Sequence, residues 1–383
     1  MAEFGNLSID GPGKLQNIGQ IVVSCSDFMN ASGNGDTLAS LKREINQLID
    51  ELPALKHEKW IVRSLSSLVR IAQSDIESLD WKILSSAVLD MEQGFEIFYP
   101  YRHIRKICIF GSARTSPTAP EYDMAVELAR AMTQQGFMVL TGAGGGIMEA
   151  ANLGAGAERS FGLNIKLPFE QFSNPYIEGD PKLIKFKYFF TRKLFFLRES
   201  DALAMFPGGF GTLDETWEGL TLAQTGKFGP APVILIDHPG GDYWYDWQEF
   251  VRKQLLRRGF ISQDDPSIYT ITDDLAVAEA AIADFYQVYH SSRYVGDLFV
   301  MRLNSELSDE QVEYLNQEFK DILSRGRIEK SRALPKELGD ETEHLPRLVF
   351  YFNQRDVGRL YLMIAAINKM GENLPGASHP EQK

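Results

Sequence analysis

The middle of the chain alternates short apolar runs with stretches in which apolar residues recur at helical spacing. The apolar runs occupy residues 106–110, 136–141, 161–165, 202–206 and 233–237. Helical spacing occupies residues 121–135, a stretch from Ile147, residues 185–199 and a stretch after Gly211. Strands that alternate with helices of this length predict an α/β fold, in which a parallel sheet carries helices on both faces. A ligand of such a sheet is expected at the carboxyl ends of its strands.

The segment before this region has a different pattern. Residues 1–35 are rich in glycine, serine and asparagine and predict a loose or edge-strand segment. A helical pattern then begins with Asp36 as its cap and continues to about Phe98, with patches at residues 58–73 and 80–97. We therefore assign residues 1–100 to a mostly helical N-terminal extension.

The segment after residue 295 predicts a small second α/β element. Strands are expected at residues 298–301 and 348–352 and around Arg327, and helices at residues 308–324 and 355–369. The sequence thus predicts a central domain over residues 101–295 and a C-terminal α/β appendage over residues 296–383.

Composition and charge narrow the classes of partner. The 383 residues are 44% hydrophobic and 24% charged, which is typical of a globular protein. Lysine and arginine number 39 and aspartate and glutamate 52, so the formal net charge is −13. A field of this sign repels polyanions, so we expect no nucleic-acid partner and no membrane partner.

Cysteine content and terminal pattern bear on the compartment. Cys25 and Cys108 are too few for a disulfide framework, and Cys108 lies in an apolar run typical of a core position. The first residues lack the basic and apolar segments of a secretory signal, and no apolar stretch is long enough to cross a bilayer. We therefore expect a cytoplasmic protein.

The first glycine-rich element, TGAGGG over residues 141–146, lies between a predicted strand and a predicted helix. Glycines let a ligand approach the backbone closely, and free N–H groups at a helix start favour anions. The element lacks the lysine and hydroxyl residue of a P-loop. Its G-x-G-x-x pattern also fits an ordinary tight turn, so by itself it leaves binding and structure both open.

The second element, PGGFGTLDE over residues 207–215, follows the apolar run at 202–206 and opens a helix. Gly208, Gly209 and Gly211 remove side chains from the turn, and Thr212 adds a hydroxyl and a backbone N–H, a combination that suits a phosphate monoester. The spacing from Thr212 to Glu215 is also that of a capping box. Glu215 is therefore either a helix cap or a catalytic carboxylate.

A third element places two cations, Arg192 and Lys193, among aromatic residues. One interpretation is a solvated helix face whose long side chains cover apolar surface. The other is a clamp for an anion or a leaving group, because the planar guanidinium of Arg192 holds phosphate or sugar oxygens in fixed geometry. A further aromatic group at residues 243–247 fits packing of the following helix better than stacking on a base.

These elements together resemble the LOG ("Lonely Guy") family, whose members were once labelled possible lysine decarboxylases. The motif P-G-G-x-G-T-x-x-E of that family matches residues 207–215, and the resemblance extends over residues 104–290. Its other segments are the Gly111-Ser112 turn, GGGIMEAANLGA, LPFEQ with Asn174-Pro175-Tyr176, the Arg192-Lys193 pair and LTLAQT. The chain is similar to the longer bacterial branch, although many relatives there carry G-G-G-P-G where this chain has Ala143 and three glycines.

The resemblance implies a Rossmann-like fold and hydrolysis of the N-glycosidic bond of a nucleoside 5′-monophosphate, AMP or a cytokinin riboside monophosphate. The catalytic pair of the family falls on Arg192 and Glu215. Substrate and phosphate contacts fall on Gly111, Ser112, Gly145, Gly146, Glu149, Lys193, Pro207, Gly208, Gly209, Gly211 and Thr212. The resemblance also implies a homodimer or a higher homo-oligomer, with both subunits near the site.

No cofactor and no metal are predicted. The six histidines are scattered, without a metal-binding spacing or a Cys/His cluster. A nucleotide-sensing protein that uses the same pocket without turnover is the alternative function, although sensing alone does not need both Arg192 and Glu215. A third interpretation, a pyridoxal-dependent lysine decarboxylase, rests only on the old family label, and no lysine stands in a suitable setting for that cofactor.

Overall fold

A computed structural model describes residues 43, 46–47, 57–166 and 172–371. Contacts divide the chain into two compact units, Met1–Ile83 and Leu84–Lys383. Cys25, most of the helix predicted from Asp36 and the LPFEQ segment at residues 167–171 lie outside the described residues. The domain division at residues 100 and 295 stays a prediction.

Two helices precede the sheet, α1 (Glu58–Ala72) and α2 (Ser78–Phe98), in agreement with the patches of helical spacing. Each of the described helices is too short or too polar to span a bilayer.

Seven parallel strands form the main sheet and confirm the α/β class. They are β1 (Lys106–Phe110), β2 (Met138–Thr141), β3 (Ser160–Ile165), β4 (Leu183–Phe186), β5 (Ala202–Met205), β6 (Val233–Ile236) and β7 (Tyr269–Thr272). Their order in the sheet is β4-β3-β2-β1-β5-β6-β7. All residues of the inner strands β1, β2, β3, β5 and β6 are buried, as expected where helices cover both faces.

The helices of this region are α3 (Pro120–Gln134), α4 (Ile147–Ala155), α5 (Phe189–Arg198), α6 (Phe210–Gln224), α7 (Tyr243–Phe250) and α8 (Leu275–Phe285). Alternate residues of a strand enter different cores. Cys108 belongs to the hydrophobic cluster on one face, and Ile107 and Ile109 belong to the cluster on the other. The core role of Cys108 is confirmed. The prediction of one helix over 185–199 was wrong at its start, because the chain there forms β4 and turns before α5 begins.

The C-terminal residues form a second, antiparallel sheet. Its strands are β8 (Tyr289–Val295), β9 (Leu298–Leu303), β10 (Leu323–Ser331) and β11 (Arg347–Phe352), in the order β10-β11-β9-β8. Helices α9 (Asp309–Glu318) and α10 (Val357–Gly371) accompany it. From α10, Asn368 Oδ1 accepts hydrogen bonds of 2.9 Å from the N–H groups of Val288 and Tyr289, and Tyr361 bonds both backbone polar groups of Ala231. These buried polar contacts fix α10 against the linker to β8 and the loop before β6.

The order of the main sheet positions the site. β1 pairs with β2 on one side and with β5 on the other. Strands β2 to β4 therefore extend the sheet from β1 in one direction, and β5 to β7 extend it in the opposite direction. The carboxyl ends of the strands at such a switch point border a crevice, which is the usual ligand site of an open α/β sheet.

Candidate functional site

Three loops meet at the carboxyl ends of the central strands. The N–H of Ser112, in the loop after β1, donates to the carbonyl of Pro207, in the loop after β5, at 3.0 Å. The carbonyl of Ser112 accepts from the N–H of Ile147, at the start of α4, at 3.1 Å. Ser112 therefore joins the two glycine-rich loops by its own backbone.

Two glycines are required for this close approach. Gly146 has a φ of +61°, and a Cβ built on it would lie 2.2 Å from the Ser112 carbonyl oxygen. A Cβ on Gly208 would lie 2.1 Å from Oγ1 of Thr212. By contrast, a Cβ on Gly209 or Gly211 would have no atom within 4 Å. The first two glycines permit the loops to pack, and the other two leave open space at the start of α6.

A buried polar network shapes the first glycine loop from below. The side-chain amide of Asn174 donates to the carbonyl of Gly144 at 3.0 Å and to Oδ1 of Asn152 at 2.9 Å. Thr141 Oγ1 donates to the same Asn152 oxygen at 2.8 Å. Neither Thr141 nor Asn152 was predicted to act at the site. The available signal was a buried amide, Asn152, in a helix whose other residues apart from Glu149 are small or apolar.

The start of α6 excludes one of the two interpretations of Glu215, the helix cap. The helix begins at Phe210 with Gly209 as its N-cap, and no side-chain hydrogen bond caps it in the described structure. Thr212 is the third helical residue, so Glu215 lies in the second turn rather than three residues after a cap. The capping-box interpretation of Thr212 and Glu215 is therefore wrong. The first N–H groups of α6 have no partner within the helix and are available to an anion.

Glu215 is a buried carboxylate between two cations. It is 6% exposed. Its Oε1 lies 3.9 Å from Nη2 of Arg192, and its Oε2 lies 3.4 Å from Nζ of Lys193. The structure thus brings together the two residues that the resemblance implies as a catalytic pair, and it adds Lys193 as a second cation.

Burial shifts the ionisation of this cluster. Burial raises the pKa of Glu215 above its ordinary value, against the opposing effect of Lys193 and Arg192, and Glu218 adds to the rise. Burial also lowers the pKa of Arg192, although Glu215 opposes the change. Both groups are therefore less well solvated than on a protein surface, which is a common property of functional sites.

Helix α5, which carries both cations, is fixed by Asp90 of α2. The Asp90 carboxylate accepts from the N–H of Lys187 at 2.9 and 3.0 Å and from Oγ1 of Thr191 at 2.6 Å. Asp90 is far away in the sequence and was missed, because nothing in its helical pattern marks it. The guanidinium of Arg192 lies over the rings of Phe189 and Phe196, at 5.2 and 5.3 Å, so its position is set by the same helix.

The ion pairs of Lys193 among the described residues are all with carboxylates of α6. Its Nζ lies 2.9 Å from Asp214 and 2.6 Å from Glu218, in addition to Glu215. Burial opposes protonation, but these carboxylates raise the pKa of Lys193 overall. A direct contact of Lys193 with phosphate stays a prediction.

The remaining predicted residues, Gly111, Gly145 and Glu149, lie in or beside the first glycine loop. Gly111 packs against Ile147, since a Cβ on it would lie 2.6 Å from that side chain. Gly145 lies beside Glu149, whose Oε2 is 3.8 Å from the position of a Cβ on Gly145. Glu149 is half-buried in the first turn of α4 and contributes to the raised pKa of Tyr122, which burial mainly causes. Glu149 thus borders the first loop.

A cavity of about 820 Å³ opens beside this site, between α5, α6 and β8. Lys193 and Glu218 line it, whereas Glu215 and the glycine loops do not. Arg105 and Tyr286 also line it, with the guanidinium 3.6 Å from the ring centroid. The cavity therefore neighbours the Glu215 cluster without containing it.

One set of side chains in the described part of the chain has the composition of a metal-binding group. Ligand atoms of Glu121, Asp237 and His238 lie within 4.8 Å of one another. The two Asp237 oxygens already accept from the N–H groups of His238 and Tyr243, at 2.9 and 3.0 Å. His238 Nδ1 lies 3.1 Å from both Glu121 and Asp237. Internal hydrogen bonds account for this arrangement, and we assign it no metal.

Comparison with known proteins gives one consistent result. The family model described as "Possible lysine decarboxylase" matches residues 132–282. "Cytokinin riboside 5'-monophosphate phosphoribohydrolase LOG" of Oryza sativa subsp. japonica is 30% identical over 166 residues, 42% of this chain and 65% of the relative. "Probable cytokinin riboside 5'-monophosphate phosphoribohydrolase LOGL3" of the same plant is 30% identical over 164 residues, 41% of this chain and 74% of the relative. For the rice relative LOGL5 the chain spans 63% of its length.

Solved structures also show similarity over about half of the chain. The structural-genomics protein TM1055 is 24% identical with a TM-score of 0.32, and the match covers 46% of this chain and 97% of that one. The molybdenum cofactor carrier protein of Chlamydomonas reinhardtii is 22% identical with a TM-score of 0.33, covering 47% and 97%.

Proposed function

Because the chain belongs to the LOG family, whose members include the rice phosphoribohydrolases, we propose that it hydrolyses the N-glycosidic bond of a nucleoside 5′-monophosphate. The products are the free base and ribose 5-phosphate. One observation carries the proposal: the buried carboxylate of Glu215 lies beside Arg192 and Lys193, at the end of the sheet where two glycine loops meet.

Glu215 has the properties that this reaction needs in a carboxylate. As the bond between C1′ and the base breaks, positive charge develops on the sugar, as in the cleavage of O-glycosides. A negative group held beside C1′ stabilises that charge, and its effect is large where water is excluded. The same carboxylate orients or deprotonates the attacking water: the hydroxyl joins C1′, and the proton passes to the base nitrogen that leaves. A raised pKa makes Glu215 a better base than an exposed glutamate.

The glycine loops hold the phosphate group. The loop at Gly208 and Gly209, the first N–H groups of α6 and the hydroxyl of Thr212 lie at one helix start, which favours an anion, and the backbone of Ser112 contacts this loop through Pro207. Binding the phosphate there fixes the ribose relative to Glu215 and lowers the entropic cost of reaching the transition state. A nucleoside without its phosphate is therefore expected to react poorly.

Arg192 supplies a donor to the bound nucleotide. Its Nη2 faces Glu215, and its Nε is buried without a hydrogen-bond partner among the described residues. A buried donor of this kind costs free energy unless a ligand satisfies it. The ribose, the phosphate and the departing base each offer an acceptor. Lys193 favours the ionised form of Glu215 and anchors α5 to α6 through Asp214 and Glu218.

We propose as substrate either a cytokinin riboside monophosphate, for which the relatives are named, or AMP, which the sequence resemblance implies. We also propose a homodimer or a higher homo-oligomer. Its support is a group of exposed apolar side chains on α5 and at the start of α6, a feature typical of interaction surfaces: Phe189, Phe190, Leu194 and Phe210. The proposed location is the cytoplasm.

A substrate panel tests this function. The full chain is incubated with AMP, a cytokinin riboside monophosphate, GMP, CMP, UMP and adenosine, and free base and ribose 5-phosphate are quantified. We expect base release from at least one monophosphate and little from adenosine. Tight binding without release would favour the sensing function instead. Carbon dioxide release from lysine, with no base release, would contradict the proposal and favour a decarboxylase.

A further inference from the structure

Tyr243, the first residue of α7, links two loops that follow neighbouring strands. Its hydroxyl donates to the carbonyl of Gly208, in the loop after β5, at 2.6 Å. Its backbone N–H donates to Oδ2 of Asp237, directly after β6, at 3.0 Å. Since β5 and β6 pair in the sheet, one residue braces the loop of Gly208 against the end of the next strand.

The Asp237 end of this brace is rigid. Asp237 is 2% exposed, and its Oδ1 accepts from the N–H of His238. The backbone of Gly241 passes so close that a Cβ there would lie 2.3 Å from the Asp237 carboxylate. The ring of Tyr243 packs edge-on against buried Trp244, with centroids 4.8 Å apart. Burial raises the pKa of Tyr243, so the hydroxyl stays protonated and remains a donor.

The bond to Gly208 fixes the direction of a neighbouring donor. In a trans peptide, the C=O of one residue and the N–H of the next lie in one plane and point in opposite directions. The peptide bonds of the described residues are all trans. Because Tyr243 holds the Gly208 carbonyl, the N–H of Gly209 must point away from α7. Gly209 is the N-cap of α6, and its N–H has no protein partner within the described ranges.

We propose that Tyr243 is a positioning residue for phosphate binding: it orients the Gly208–Gly209 peptide so that the Gly209 N–H donates to the phosphate of the nucleotide. The identity of that nucleotide rests on the function proposed above. The remaining phosphate contacts still hold the ribose beside Glu215 when this one is lost, and the phosphate itself does not change in the reaction, so this single contact is expected to be equally strong with substrate and transition state. Loss of such a uniform contact raises KM and leaves kcat unchanged.

The test is Tyr243→Phe, which keeps the ring and removes only the hydroxyl. We expect KM for the monophosphate to rise about threefold to tenfold, the value of one hydrogen bond, with kcat changed by less than about twofold. Calorimetric affinities for inorganic phosphate and for ribose 5-phosphate should fall by the same factor. The matched control is Tyr245→Phe on the same helix, whose side chain is 47% exposed and is expected to leave all three values unchanged.

The outcomes separate this proposal from the function on which it rests. If the wild-type protein releases no base but Tyr243→Phe weakens phosphate binding, the positioning role holds and the proposed reaction fails. If phosphate binds both proteins equally, or binds neither, the positioning role is overturned. A fall in kcat with KM unchanged would also overturn it, because the hydroxyl would then act in the chemical step.

Discussion

The guanidinium Nη2 of Arg192 lies 3.9 Å from Oε1 of Glu215. The two residues belong to different helices, since Arg192 is in α5, before β5 in the chain, and Glu215 is in α6, after it. The side chains are 14% and 7% exposed. The separation is too long for a hydrogen bond and short enough for strong attraction where water is excluded. A substrate atom can therefore accept a hydrogen bond from the arginine while the carboxylate keeps its nearby positive charge.

Arg192→Ala is expected to lower the rate of base release about 10²-fold, the usual effect of removing one donor that stabilises transition-state charge. Steady-state kinetics measures the rate, and circular dichroism checks the fold. The matched control is Arg198→Ala, since Arg198 lies on the same helix with its side chain 50% exposed. Equal loss in both variants, or loss of helical signal in Arg192→Ala alone, would show that the arginine acts through packing.

The charges around Glu215 predict opposite effects of two substitutions on the pH profile. If Glu215 must be ionised, kcat/KM falls as the pH falls through its pKa. Lys193 lowers that pKa and Glu218 raises it. Lys193→Met is therefore expected to move the acid limb of the profile to higher pH, and Glu218→Gln to move it to lower pH. The profiles are measured with the same monophosphate. An acid limb that moves in the same direction in both variants, or in neither, would show that it reports another group.

Much of the sheet could be predicted from the sequence, because inner strands of a parallel sheet are continuous apolar runs. Five such runs predicted β1, β2, β3, β5 and β6. The edge strands β4 and β7 were missed. Both are four residues long and carry polar residues, Lys185 in one and Thr270 in the other, since one side of an edge strand meets solvent. Strand β8 was missed for the same reason, with Ser291 and Ser292 at its centre.

The site could be predicted only where it is local in sequence. The glycine loops, Arg192 and Glu215 stand in short motifs, and their convergence follows from the switch point between β1 and β5. Asp90 and Tyr243 could not be assigned, because their partners lie 97 to 101 and 35 residues away along the chain. The capping-box interpretation of Glu215 failed because the helix begins two residues before Thr212.

The close backbone contact between Gly146, in the first glycine loop, and Ser112, in the loop after β1, predicts different effects of two alanine substitutions. Gly146 and Gly156 both have positive φ, +61° and +72°, but only the Gly146 Cβ would meet backbone, the Ser112 carbonyl. Gly156→Ala is expected to lower the free energy of unfolding by about 1–3 kcal/mol through strain alone. Gly146→Ala is expected to lower it further and to weaken phosphate binding. Urea denaturation measures the free energy of unfolding of both variants, and calorimetry measures their phosphate binding. Equal destabilisation by the two substitutions would mean that the loops of Gly146 and Ser112 can move apart with no loss in the free energy of unfolding.

The central claim is that Glu215 acts in the cleavage step, and Glu215→Gln tests it most directly. The amide keeps the shape of the side chain and removes its charge. The decisive measurement is the rate of ribose 5-phosphate release from the best monophosphate, together with the calorimetric affinity for that nucleotide. We predict that the rate falls about 10²-fold to 10⁴-fold and that the nucleotide still binds. Release at the wild-type rate would contradict a catalytic role for Glu215.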